Sequence, residues 1–180
     1  SGTVGVGKKP SFMATEQSDV PWDLVRRWPY YEAKAWQEQE CREFVEKGLP
    51  VRIARPTLLL GPGDDNGSST GDVVRILVGD IKASLPGGIS AVDVRDVAAV
   101  LPALMDRGEI GTGYLLTASN LTLRDFLLML EQATGKSAPV FEIPRGVLRR
   151  VERPLKALCR LKAMGGLDAQ TFEMACHYWY

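Results

Sequence analysis

The sequence predicts an α/β protein, because stretches that read as strands alternate with stretches that read as helices. Three observations carry this. Residues 30–47 are rich in the helix formers Glu, Ala, Lys, Gln and Arg, and they stop at Gly48 with Pro50 just beyond. The apolar run 51–60 follows at once and reads as a mostly buried strand. A second strand-like stretch, 89–94, leads into the apolar helix-like stretch 97–105. Such alternation belongs to α/β proteins, not to all-α bundles or sandwiches.

Each element has its own local reason. Pro10 and Pro21 frame a polar loop over 8–22, and Pro29 can open the first long helix where a missing N–H costs nothing. Cys41, Phe44 and Val45 share one side of that helix and mark its packing face. Pro56 breaks the strand 51–60, which ends at Gly61-Pro62-Gly63. Residues 61–71 form a long loop rich in Gly, Asp, Asn and Ser, of the kind that often serves a site. A short helix is expected over 72–79, with Val73, Ile76 and Leu77 on its apolar side. Asp96 is expected to cap the helix 97–105. Gly111 and Gly113 lead into a strand at Tyr114-Leu115-Leu116. Thr122 with Asp125 resembles a capping box, opening a helix that Gly135 closes. A short strand over 140–143 and a basic helical tail from Pro144 complete the chain.

Composition excludes several classes. Of 180 residues, 45% are hydrophobic and 24% charged, a globular balance. Lys plus Arg and Asp plus Glu both number 22, which argues against nucleic acid as a partner, since phosphate binding needs a basic excess. No stretch approaches the ~20 apolar residues of a spanning helix, and Ser1 to Gly7 does not read as a secretory leader. Three cysteines without a C-x-x-C pattern point to reduced thiols in a cytoplasmic setting. A single histidine, His177, leaves no Ser-His-Asp or multi-His metal chemistry and reads as a packing or surface residue. Arg149, Arg153, Lys156 and Arg160 share a face in the tail. A basic amphipathic helix can lie on an anionic membrane, but Pro154 interrupts this one, and an ordinary solvated face is the expectation.

Two phosphate- or metal-loop look-alikes fail on chemistry. In the stretch from Gly2 to Lys9, Lys9 stands where a P-loop needs Ser or Thr, and Pro10 interrupts the helix that should follow. The loop Gly61-Pro62-Gly63-Asp64-Asp65-Asn66-Gly67 lacks the spacing and closing Glu of a calcium loop and reads as turn chemistry.

The pair Tyr30 and Lys34 is different. Four residues apart on a helix, their side chains lie on one face, one turn apart. A cationic ammonium beside a phenol favours phenolate, as a general acid/base working on a hydroxyl or carbonyl requires. Tyr31 has Ala35 at that offset, so it lacks the partner.

Context extends the pattern. Ser1-Gly2-Thr3 lies upstream of Tyr-x-x-x-Lys. Downstream stand Arg-Pro-x-x-x-x-Gly-Pro-Gly-Asp from Arg55 to Asp64 and Val-Asp-Val-Arg-Asp-Val-Ala from Val92 to Ala98. In this order the landmarks resemble the extended short-chain dehydrogenase/reductase family, the NAD(P)-dependent epimerase/dehydratases, and within it the dihydroflavonol-4-reductase-like branch. The resemblance runs from Thr3 to about Pro144. It implies the C-terminal part of a doubly wound, Rossmann-type parallel sheet plus a small α/β substrate-binding region. Residues 1–60 would belong to the NAD(P)-binding part and 61–180 mainly to the substrate-binding part, with 89–105 returning to the Rossmann sheet.

The resemblance also implies roles. Tyr30 would be the catalytic acid/base, and Lys34 would lower its pKa and bind the nicotinamide ribose. Thr3 would hydrogen-bond the substrate oxygen, with Ser1 as the alternative hydroxyl. Pro56, Thr57, Leu58 and Leu59 would lie against the nicotinamide, and Asp93 and Asp96 would anchor a strand-to-helix turn. The cofactor would be NADP or NAD, with the branch favouring NADP, and the substrate a small molecule with an alcohol or carbonyl carbon. A homodimer of the full-length protein would fit the family. A sugar-nucleotide epimerase or dehydratase, or a non-catalytic nucleotide-binding relative, are the alternatives.

One departure matters. The family's Gly-x-x-Gly-x-x-Gly fingerprint is absent from this sequence. With no initiator Met and an aromatic ending, His177-Tyr178-Trp179-Tyr180, the expectation is a C-terminal piece of a longer enzyme.

Overall fold

The structure, a computed structural model, describes residues 5–7, 9, 11–78, 84–138, 142–144, 146, 147, 150 and 169–180. In chain order they form β1 (Val6–Gly7), α1 (Trp22–Val25), α2 (Pro29–Glu46), β2 (Ile53–Pro56), β3 (Leu58–Leu60), α3 (Thr70–Leu77), β4 (Gly88–Asp93), α4 (Val94–Arg107), β5 (Gly113–Leu116), β6 (Ser119–Thr122), α5 (Leu123–Thr134), α6 (Ala169–Met174) and β7 (Tyr178–Trp179).

The run 51–60 makes two strands in two sheets. β2 pairs in parallel with β5, Ile53 opposite Gly113 and Pro56 opposite Leu116. The break falls at Thr57, one residue after Pro56. The Thr57 N–H and hydroxyl both donate to the Leu116 carbonyl, at 3.1 and 3.3 Å. One residue on, Leu58 has changed sheets and lies opposite Ala91, so β3 and β4 run parallel. Pro56 has no N–H to give a ladder, so the change of partner beside it sacrifices little.

β4 is the hub of the larger sheet, ordered β1-β7-β4-β3, with β6 antiparallel on β4. Its residues alternate, with Gly88, Ser90 and Val92 buried. The smaller sheet gives β2 its partner from Gly113–Leu116, while β4 pairs with β3 and α4 turns back to pack on β2. Arg52 fastens this return by donating from Nε to the Gly108 carbonyl at 2.7 Å.

Helix boundaries follow local chemistry. Asp93, not Asp96, caps α4. It sits in extended backbone, and its side chain accepts from the Arg95 N–H, while Asp96 lies inside the first turn. Thr122 caps α5 as the capping box predicts. Its Oγ1 accepts from the Asp125 N–H at 3.0 Å and donates to Oδ2 of Asp125 at 2.6 Å. Gly135 ends α5 in the left-handed region at φ 68°, where a side chain would be strained.

The aromatic end of the chain folds inward. Trp28 is fully buried among Val6, Leu24, Val25 and Ala35. Its ring lies 5.3 Å from Trp179 and edge-on to His177 at 5.1 Å. Burying an indole of roughly 200 Å² at about 25 cal/mol per Å² is worth about 5 kcal/mol. Trp28 Nε1 has no hydrogen-bond partner there, which returns about 1–3 kcal/mol of that gain. His177 is a packing residue, its Nδ1 2.8 Å from the Glu173 carbonyl. β7 then inserts between β1 and β4, and the Tyr180 N–H donates to the Gly5 carbonyl at 2.9 Å.

The expected strand 140–143 is described only in part, where Glu142 forms a parallel bridge with Ser84. Arg149, Arg153, Lys156 and Arg160 of the basic tail lie outside the described residues. Among the described residues, no helix is long and apolar enough to cross a membrane.

Candidate active site

Helix α2 presents the site. Pro29 occupies its first turn after an extended Trp28, Glu32 suits the positive end of the helix, and 18 residues give five turns. Tyr30 and Lys34 stand one turn apart at the N-terminal end. Tyr30 is 58% exposed, and the Lys34 ammonium lies 5.7 Å from its ring centroid while donating to Gln37 Oε1 at 3.0 Å.

Two adjacent tyrosines are sorted by packing. The Tyr31 ring stacks on Trp179, centroids 4.6 Å apart at 28°, and meets the Tyr30 ring edge-on at 5.2 Å. Burial, with the neighbouring Tyr30 adding to it, pushes the Tyr31 phenol up to about 12. Tyr31 is therefore held as a neutral packing group, and Tyr30 is the phenol that solvent and ligands can reach.

Pro56 closes β2, Thr57 is the sheet-changing residue, and Leu58 and Leu59 open β3. All four are half-buried. Thr3 and the alternative Ser1 lie outside the described residues, so their relation to Tyr30 is left as an expectation.

The two downstream motifs resolve into architecture. Gly61 has φ 146°, and a Cβ there would stand 2.6 Å from Val94 Cγ1, so the motif glycine permits the close pass of β3 under α4. Asp64 collects the N–H groups of Ser69, Thr70 and Ser68 and the Thr70 hydroxyl, each at 2.8 Å, which holds its carboxyl well below the usual range. It is turn chemistry at the start of α3. Asp93 is held at about 2 by hydrogen bonds from the Arg95 side chain and backbone. Among the described residues, no group of three His, Cys, Asp or Glu side chains could hold a metal ion.

A third member of the stripe was not found from sequence. Glu38, one turn beyond Lys34, takes a two-pronged ion pair from Arg55, with Nε donating to Oε2 at 2.9 Å and Nη2 to Oε1. Arg42 Nη2 adds a bond to Oε1 at 2.9 Å. Burial pushes the Glu38 carboxyl up, but the bonds and charge of Arg55 and then Arg42 outweigh it and hold it below the usual range. The available signal was the spacing 30, 34, 38, which continues the Tyr–Lys stripe with a charged residue.

A dinucleotide finds half its needs here. The exposed phenol and ammonium are donors suited to ribose and substrate hydroxyls, and the half-buried 56–59 turn offers an apolar edge to a flat ring. The Gly-x-x-Gly-x-x-Gly fingerprint that would cradle a diphosphate is absent from the sequence.

The chain is 32% identical over 123 residues to the sterol demethylase protein B of Methylococcus capsulatus, covering 68% of this chain and 38% of that protein. It is 32% identical over 120 residues to a putative dihydroflavonol 4-reductase of Synechocystis, covering 64% and 35%. The chain thus matches little more than a third of the length of either relative. Among solved structures, a nucleoside-diphosphate-sugar epimerase from Pseudomonas aeruginosa superposes with a TM-score of 0.73 at 25% identity, over 92% of this chain and 53% of that one. The model of the NAD dependent epimerase/dehydratase family matches residues 1–116, and the chain belongs to that family.

Proposed function

We propose that the protein carrying this chain is an NAD(P)-dependent oxidoreductase that acts on an alcohol or carbonyl carbon of a small molecule, with Tyr30 as the acid/base. The observation that carries this reading is the sorting of the two tyrosines. Tyr30 is exposed with the Lys34 ammonium 5.7 Å from its ring, and Tyr31 is packed away on Trp179.

A bound nicotinamide supplies or accepts the hydride. Tyr30 donates its phenolic proton to the substrate oxygen as a carbonyl is reduced, or takes it as an alcohol is oxidised. Lys34 would hold the ribose hydroxyls and keep its ammonium beside the Tyr30 ring, 5.7 Å from the centroid. Thr3 would donate a hydrogen bond to the same substrate oxygen. The segment Pro56 to Leu59 would lie against a bound nicotinamide. NADP is favoured over NAD by the likeness to the reductase branch.

A second reading has its own support in the likeness to a nucleoside-diphosphate-sugar epimerase. There the same residues would serve a hydride step that is later reversed. One assay separates them. The full-length protein is given NADPH or NADH with a panel of aldehydes, ketones and dihydroflavonols, and separately NAD with nucleotide sugars. Loss of nicotinamide absorbance equal to product formed supports the reductase. Sugar interconversion without net cofactor change supports the epimerase, and no turnover in either arm contradicts both.

A further inference from the structure

We propose that Glu38 and Arg55 form a positioning pair that fixes the acid/base helix α2 at a set distance from the turn 56–59. The inference rests on the proposed roles of Tyr30 and of that segment, and it adds a residue pair that the sequence motifs left without a task.

The pair joins the two halves of the candidate site directly. Glu38 lies on the Tyr30–Lys34 stripe of α2, and Arg55 immediately precedes Pro56 in β2. Two parallel N–H···O bonds, one at 2.9 Å, fix both distance and angle between them. The side chains are nearly sealed, 3% exposed for Arg55 and 10% for Glu38. The third guanidinium nitrogen is used as well, since Nη1 of Arg55 donates to the Glu16 carbonyl at 3.3 Å. Glu16 in turn accepts from the Leu115 N–H of β5 through Oε1 at 3.2 Å. Space is kept for the fork by Gly113, the β5 residue opposite Ile53, where a Cβ would stand 2.6 Å from Arg55 Cζ.

Stability alone does not account for such a pair. Removing two charges from water costs several kcal/mol, and replacing a buried ion pair with apolar side chains of similar volume is often neutral or stabilising. What an apolar contact cannot supply is a directional distance constraint. In a hydride-transfer site that constraint has value, because a misplacement of about 1 Å can cost about 100-fold in rate. Arg42, half-exposed on the next turn, donates to Glu38 and, through Nη1, to the Gly111 carbonyl at 3.2 Å.

The test uses the full-length protein, NADPH and the carbonyl compound that the wild type reduces fastest. Glu38→Gln keeps the shape and removes the charge, and the double variant Glu38→Met/Arg55→Met replaces the pair with apolar bulk. Glu38→Gln is expected to melt at a lower temperature, because Arg55 is left buried without its counter-charge, and the double variant near the wild-type temperature. Both are expected to lose about tenfold or more in kcat per folded molecule and to change KM for NADPH little. Wild-type kcat per folded molecule in these variants, whatever happens to the melting temperature, would overturn the inference and leave the pair a structural strut. If the double variant does not fold, Glu38→Asp decides, since it keeps the charge but shortens the reach. A smaller kcat loss at unchanged KM supports the pair, and unchanged kcat overturns it. Tyr30→Phe run in parallel separates this from the proposed function. Full turnover there sinks the Tyr30 assignment, whereas an inactive Tyr30→Phe beside fully active pair variants sinks the pair alone.

Discussion

The Tyr31 ring lies flat against Trp179, 4.6 Å between centroids, and this contact between α2 and the final strand decides which of two neighbouring tyrosines faces solvent. Because the partner comes from the far end of the chain, the choice between Tyr30 and Tyr31 is made by tertiary packing and not by the helix itself.

That contact has a pH signature. The folded protein holds the Tyr31 proton to about 12, against about 10 in an unfolded chain. The proton is bound more tightly when folded, so this group's stabilisation is full below pH ~10 and is lost as pH rises toward 12. Urea melts at rising pH should show the decline. A difference absorbance titration of wild type against Tyr31→Phe should show one phenol ionising near 12. Trp179→Ala should bring that phenol back toward its ordinary value, and an ordinary value in the wild type would mean the stack does not form.

The Thr122 cap of α5 should behave as pure stability. Thr122→Ala removes the Oγ1 that holds the Asp125 N–H and is expected to cost about 1 kcal/mol in denaturant melts. Turnover per folded molecule should be unchanged. A large activity loss would mean that the cap also serves the chemistry.

Much of this architecture is legible in the sequence, for physical reasons that are local. Pro29 and Gly48 bracket α2, Thr122 and Asp125 sit at capping-box spacing, and Gly135 can only be a left-handed stop. The Tyr30–Lys34 offset is likewise a property of one helix turn. What stays hidden is non-local or too short. β1 and β7 have two residues each, so no periodicity exists to read. β6 is polar and partly exposed, and it is a strand only because β4 offers it an edge. Asp93 and Asp96 both precede apolar residues, and the extended backbone at Asp93 makes it the cap. Glu38 and Arg55 are 17 positions apart and meet only when α2 lies on β2.

The 180-residue chain should bind nicotinamide dinucleotides poorly by itself. It lacks the glycine-rich turn and helix N-terminus that normally receive the diphosphate. Calorimetry or nicotinamide fluorescence with the isolated chain is expected to detect no binding tighter than millimolar. A micromolar affinity would reveal a phosphate cradle elsewhere in this sequence.

Lys34→Ala is expected to damage both turnover and cofactor binding in the full-length protein, because the proposed function gives the ammonium a task at the phenol and another at the ribose. A loss confined to kcat would remove the ribose role and leave the electrostatic one.

The most direct measurement is steady-state turnover and cofactor affinity of Tyr30→Phe in the full-length protein. Tyr30 touches solvent and little of the core, so the fold should be intact. Turnover should fall by about 100-fold or more while cofactor affinity stays near wild type, because only the proton has been removed. Undiminished turnover in Tyr30→Phe would contradict the assignment of Tyr30 as the acid/base.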